Sequence, residues 1–272
     1  MQSGSHRKVS HSEKIWQKWF LALKIIPVLA FVLLLKLLAH NYGYELITLN
    51  ALFTSIVAGT IFLLGFLISG VLSDYKESEK IPSELSASLE ALYDDAYTLS
   101  KGKNSKTAKQ FISHQKSFVD SLVEWFYRKE KTRSILGKLS KINEFFIEFE
   151  KEGVQANYII KMKNEQSSIR KMILRIHTIR DTNFIASAYA IVEILAFSIA
   201  LGMVLIKIEP FYESLFFTVL VTFLVSYMIL LIKDLDNPFE YSENGERGTE
   251  IPLKPLHDVA SKLNDAVQNR AK

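Results

Sequence analysis

From Ile47 to Ser73 the chain reads ITLNALFTSIVAGTIFLLGFLISGVLS and carries no charged side chain. About 20 predominantly apolar residues suffice for a helix to cross the hydrocarbon of a bilayer. In lipid such a run must be helical, because every backbone N–H and C=O has to be satisfied inside the segment. Its composition adds a second constraint. Asn50, Ser55, Gly59, Thr60, Gly65, Ser69 and Gly70 interrupt it, and a span that meets only lipid has no use for them. Small and polar residues of this kind belong where a helix meets protein or water.

Three other apolar runs follow the same logic: Phe20 to Ala39, Phe184 to Ile206 and Phe211 to Ile232. The first is longer than a signal-peptide core, and KLLAHN offers no small-x-small cleavage pattern, so it reads as a retained helix. Pro27 within it predicts a kink. The N-terminal segment (Arg7, Lys8, Lys14, Lys18), the long middle segment and the tail are rich in Lys and Arg. The short hairpins His40–Glu45 and Lys207–Pro210 are nearly free of them. Basic residues mark the cytoplasmic side, and Trp16 and Trp19 stand where an interface would begin. The expected fold is therefore all-α: a four-span integral membrane protein with a cytoplasmic helical domain between spans 2 and 3. Residues 1–19 form a cytoplasmic N-terminus, 20–73 the first two spans, 74–182 the cytoplasmic domain, 183–233 the last two spans and 234–272 a cytoplasmic tail. The expected location is the inner (plasma) membrane of a bacterium.

The segment 74–182 shows helical stripes. Pro82-Ser83 predicts a helix start with Ser83 as N-cap, followed by Leu85, Leu89, Leu92 and Leu99 on one face. KGKNS at 101–105 predicts a turn. Phe111, Phe118, Leu122, Trp125 and Phe126 give a second stripe. Ile135, Leu139, Ile142, Phe145, Phe146 and Phe149 give a third, closed by Gly153 as a C-cap glycine. The stripe Ile169, Met172, Ile173, Ile176 and Ile179 runs without a breaker toward span 3, predicting one continuous helix there. In the tail, flexible SENGERGTE precedes an amphipathic helix bearing Leu256, Val259, Leu263 and Val267.

The chemistry this sequence lacks is informative. It has no GxxxxGK[ST], GxGxxG, HExxH or GxSxG motif, and its six His are scattered without ligand spacing; an enzyme is not expected. The chain has no cysteine, which removes disulfides and Cys-ligated metals. A net charge of +4 is too mild to argue for nucleic acid.

Three features remain as candidate sites. Ser55, Gly59, Phe62, Phe66, Ser69 and Ser73 recur at three- and four-residue steps and share one helix face. Copies of that face around an axis would make a wet path with an apolar waist, a constriction that gates by dewetting. The competing use is close packing through the row Ala51, Ser55, Gly59. Two intramembrane charges form the second feature. Lys36 either snorkels to the interface or faces an aqueous vestibule and attracts anions. Glu193, roughly 14 Å into span 3 at 1.5 Å per residue, faces a cavity or a partner; Lys24 and Lys36 do not match its depth, so either would have to reach, and the alternative is a neutral Glu193 hydrogen-bonded to a Ser, Thr or Tyr hydroxyl of another helix. Third, DLDNPFEY after span 4 brings Asp234, Asp236, Asn237 and Glu240 together as oxygen ligands for a hard cation such as Ca²⁺, or as a cap and turn that ends the helix.

The order of spans, the segment FLLGFLISGVLSDY and the segment DLDNPFEY followed by IPLKPL resemble the bestrophin-like membrane proteins. The resemblance implies a homo-oligomer, a pentamer, that conducts inorganic anions through a neck lined by the second span, with Phe62 and Phe66 as its apolar ring. It also implies a Ca²⁺ clasp at Asp234, Asp236 and Glu240, with no other cofactor. The basic-aromatic stretch expected after the second span is replaced here by SDYKESEK. The alternative to a channel is a membrane-anchored scaffold or sensor whose helical domain binds a partner or ligand. Deep burial of the small-residue face of span 2 inside the protomer would favour it.

Overall fold

The computed structural model describes residues 11–181, 186–241 and 250–268. The N-terminal segment with Arg7 and Lys8, the side chains of Lys14, Trp16 and Lys18, the junction at 182–185 where a continuous helix was expected, and the linker 242–249 lie outside the described residues. Helices dominate: α1 His11–Asn41, α2 Ala51–Gly102, α3 Lys106–Phe126, α4 Thr132–Lys151, α5 Ala156–Asp181, α6 Ala186–Leu205, α7 Phe211–Asp236 and α8 Lys254–Gln268. Two short strands, β1 (Ile47–Thr48) and β2 (Ile206–Lys207), pair in parallel, Ile47 opposite Ile206 and Thr48 opposite Lys207. Four stretches are long and apolar enough to cross a membrane: Trp19–Asn41, part of Ala51–Gly102, Ser187–Leu205 and Phe211–Asp236.

Helix α2 corrects one expectation. It runs unbroken for 52 residues with Pro82 inside it, about 78 Å at 1.5 Å per residue, so Ser83 is not an N-cap. Proline removes one N–H from the helical ladder, but its fixed φ suits the helix, and packing on both sides of it supplies what propensity withholds. Ile81 and Leu85 are buried, and the Ser86 hydroxyl donates to the Pro82 carbonyl at 2.7 Å.

The described chain divides into two compact units, with boundaries at Tyr75/Lys76 and Asp236/Asn237. Both fall slightly later than the apolar runs imply, because α2 and α7 continue past their last apolar residue. The first unit holds α1, the start of α2, α6 and α7. Leu64, Leu67 and Val71 of α2 pack there with Val192 of α6 and with Val225 and Ile232 of α7, a spacing that puts one stripe of α2 into the core. Gly202 allows the closest approach: a Cβ there would overlap the Phe53 ring.

The second unit contains the rest of α2 with α3, α4, α5 and α8. Its predicted stripes are its core, including Leu85, Leu89, Leu92, Phe111, Phe118, Leu122, Trp125, Ile135, Leu139, Ile142, Phe149, Ile169, Ile173 and Ile176, all buried. Leu256, Val259 and Leu263 bury the apolar face of α8. Ser105 caps α3 by accepting from the Ala108 N–H, and Gly153 ends α4 at φ +71, where a side chain would be strained. Arg180 closes the other end of α3. Its guanidinium donates to the Trp125 and Phe126 carbonyls at 3.1 and 2.7 Å and lies over the Trp125 ring. Burial pushes its pKa down to about 10.

Candidate functional site

Helix α2 presents two faces. Thr60, Leu64, Leu67 and Val71 are buried within the protomer. Ser55, Gly59, Phe62, Phe66, Ser69 and Ser73 are all exposed, Phe62 at 78% and Phe66 at 71%. A Cβ built at Gly59 or Gly65 meets nothing within 4 Å. The small-residue row therefore does not serve packing inside one chain, contrary to the simpler reading of its spacing. Ser55 turns its hydroxyl back to the Ala51 carbonyl at 2.7 Å, so the upper part of the face is small and quiet, and the two Phe project from its middle.

Lys36 is neither snorkelling nor facing a vestibule. It is fully buried, and its ammonium pairs with Glu45 at 2.6 Å. It also donates to the Ile206 carbonyl at 2.5 Å and the Val204 carbonyl at 3.4 Å. A buried ammonium needs an anion and several acceptors, and the end of α6 and the α1–α2 loop supply them. His40 Nδ1 lies 2.9 Å from the second Glu45 oxygen, and its ring stacks on Phe211 with centroids 3.7 Å apart. Glu45 thus ties its loop to the end of α1, and Lys36 and His40 carry the link on to Ile206 and Phe211.

Burial alone would raise the Glu45 carboxyl, but hydrogen bonds from Lys36 and His40 outweigh it and hold the group below its ordinary value of 4.5. A carboxylate depressed by folding contributes its stability in full above its unfolded value and loses it as pH falls through the folded one. Thermal unfolding is expected to be insensitive to this group above about pH 5 and to weaken in more acid solution. Glu45→Gln should flatten that acid limb, and an identical limb in the variant would assign it to other groups.

Glu193 pairs with Lys233 at 2.6 Å, each side chain about half exposed (52% and 48%). Neither Lys24, Lys36 nor a hydroxyl is the partner. Lys233 was hidden because the apolar run stops at Ile232 while α7 continues to Asp236. One turn along the same antiparallel pair, Tyr189 faces Asp236.

The segment after span 4 does not assemble the expected cation ligands. Among the described residues no group of three or more His, Cys, Asp or Glu is placed to hold a metal ion. Asp236 meets Tyr189, while Glu240 lies 3.9 Å from Arg128. What the segment does is pack. Phe239 is fully buried with its ring 6.2 Å from Phe126, and the Tyr241 hydroxyl donates to the Ile251 carbonyl at 2.6 Å. Phe239→Ala is expected to destabilise the second unit by about 3–5 kcal/mol, the usual range for a buried aromatic. Denaturant unfolding of the full chain reads this, and a cost under about 1 kcal/mol would mean the site collapses around the hole.

The family model described as the Bestrophin-like domain matches residues 21–240. The chain belongs to the bestrophin-like family. Its fold agrees. A crystal structure of a bacterial bestrophin homologue from Klebsiella pneumoniae aligns with a TM-score of 0.70 at 15% identity, covering 90% of this chain and 99% of that one. A second variant of the homologue gives 0.71 at 16%, with the same coverage. A third structure, of a membrane protein, gives 0.73 at 15%, covering 89% and 98%. At such identities the likeness establishes the fold. No curated protein matches the chain.

This bestrophin-like chain is thus an integral membrane protein, and every candidate residue from Lys36 to Glu240 lies within the matched region, whereas α8 lies beyond it. Reasoning from the sequence overlooked Glu45, His40 and Lys233. A signal existed for the first two: Lys36 and His40 are four residues apart at the end of an apolar helix, and the only acid of the following loop is Glu45.

Proposed function

We propose that this protein is a homo-oligomeric ion channel that conducts inorganic anions, with the second spans of several copies, as in a pentamer, lining the pore. The supporting observation is the outward face of α2. Six positions predicted to line a pore are all exposed in the single chain, while the opposite stripe is buried. A lipid-facing surface would not need Ser55, Gly59, Ser69 and Ser73, and the burial in the protomer that would have favoured a scaffold is not seen. Around an axis, Phe62 and Phe66 form an apolar waist between small and hydroxylated rings. The face carries no acid to repel anions, and aromatic ring edges carry partial positive charge. The Lys and Arg content favours a cytoplasmic side for both termini and for residues 74–182. Among the described residues Asp234, Asp236 and Glu240 do not gather around a common point that would hold Ca²⁺.

The test is direct. Full-length protein reconstituted in planar bilayers under a KCl gradient should pass current that reverses close to the chloride equilibrium potential. Absence of current together with a monomer in lipid would end this reading. Reversal near the potassium potential would retain the channel and reject anion selectivity.

A further inference from the structure

A half-open pocket of about 440 Å³ lies on the first unit between α1, α6 and α7, with exposed Phe31 and Phe197 at its mouth and Val32 of α1, Ala196 and Ala200 of α6, and Thr222 and Ser226 of α7 along its wall. Its size is that of a small-molecule site. Thr222 is 4% exposed, and its hydroxyl has no hydrogen-bond partner. That is unusual, because a helical Thr ordinarily turns its hydroxyl back on the carbonyl four residues earlier, as Thr218 does onto Ser214 at 2.7 Å in the same helix. Ser226 follows one turn along and lines the same space.

These observations fix the chemistry of an occupant. No charged residue lines the cavity, so an ionic head group would be desolvated without a counter-charge. Water would find two hydroxyls and otherwise hydrocarbon, so the apolar remainder of the pocket, many times the roughly 30 Å³ of one water, favours an organic occupant. A plain acyl chain fills the volume but leaves the Thr222 hydroxyl unpaired. A hydroxyl on a hydrocarbon body meets every condition, since it accepts from Thr222 and donates to Ser226. Thr222 lies about 16 Å along α7 from Phe211 at 1.5 Å per residue, so the occupant reaches it from the apolar layer of the bilayer.

We infer that the α1–α6–α7 cavity is a binding site for a neutral, lipid-soluble alcohol, held at its hydroxyl by Thr222 and Ser226. The inference does not depend on the channel reading.

The experiment uses the full chain in lipid nanodiscs and a diazirine-bearing analogue of 1-octanol, with adducts mapped by peptide mass spectrometry. Labelling is expected to concentrate on Val28–Leu35, Ala196–Val204 and Thr222–Ser226, to saturate, and to fall several-fold in excess 1-octanol. Thr222→Val should raise the half-saturating concentration roughly tenfold, the equivalent of one good hydrogen bond. Thr222→Ser should restore it, and Ala200→Phe, which fills the space, should abolish labelling there. Adducts spread evenly over lipid-facing Phe216 and Leu220 without displacement would show partitioning alone and overturn the site. So would equal labelling of wild type and Thr222→Val, or no labelling because a lipid chain or a neighbouring copy fills the cavity.

Discussion

Phe62→Ala is expected to raise the current carried by reconstituted protein, and Phe62→Ala combined with Phe66→Ala to raise it by about tenfold or more, equivalent to about 1.4 kcal/mol off the permeation barrier. The rings stand one turn apart on one face of α2 and are the most exposed aromatic side chains of that helix. An apolar constriction resists permeation because confined water leaves it and the ion must cross without a hydration shell. Replacing two phenyl rings by methyl groups widens the waist and lets water remain. The control is Leu64→Ala on the same helix. Leu64 is fully buried in the protomer core, so its loss should cost about 2–5 kcal/mol of stability and leave permeation through the neck unchanged. Equal currents in wild type and the double variant would sink the pore assignment. An increase in Leu64→Ala as large as that in Phe62→Ala would show that loosening anywhere opens the path.

Glu45→Gln is expected to be among the most destabilising single changes in the membrane unit. It preserves size and removes the charge opposite Lys36, whose ammonium is buried with only two backbone carbonyls left. Removing one partner of a buried pair costs about 3–5 kcal/mol, because the other charge stays without compensation. At roughly 2–4 °C per kcal/mol for a chain of this size, the unfolding midpoint should drop on the order of 10 °C. Lys36→Met should cost less, since the freed Glu45 retains His40 and has a route to water through its exposed loop. Joining Lys36→Met to Glu45→Gln should recover much of the loss of Glu45→Gln alone. Midpoints measured in the same detergent read all three. A fall of only 1–2 °C in Glu45→Gln would mean that water or lipid solvates Lys36 in the assembled protein.

The elements most legible in the sequence were those set by one strong physical requirement. Four uncharged or nearly uncharged runs had to be spans, and the 3.6-residue stripes of the helical segment had to be core faces; Leu89, Phe118, Ile142 and Ile173 are buried as their spacing required. Pro82 was misleading because local propensity is weaker than packing along a long helix. The α2 face was recognised as a set, but spacing alone could not say whether water or another helix met it. Its exposure in the single chain removed only the intramolecular partner. Charges were the least legible. The partner of Lys36 sits in a loop, and that of Glu193 sits just past an apolar boundary. Such pairings are made by tertiary geometry, to which hydropathy is blind.

The clamp around Lys36 has a consequence for how the protein is made. The Ile206 carbonyl that Lys36 holds lies 170 residues further along the chain. At 5–20 residues per second, a ribosome reaches it roughly ten to thirty seconds after Lys36 has been synthesised. Through that interval the ammonium sits in a nascent hairpin without its backbone acceptors. Glu45, only nine positions downstream, is available almost at once. The carboxylate is therefore placed to act first as an escort, neutralising a membrane lysine during insertion, and later as one corner of the finished clamp. Delayed maturation on the ribosome, ahead of any defect in the completed fold, is the trace that a missing Glu45 should leave in a pulse-labelled cell.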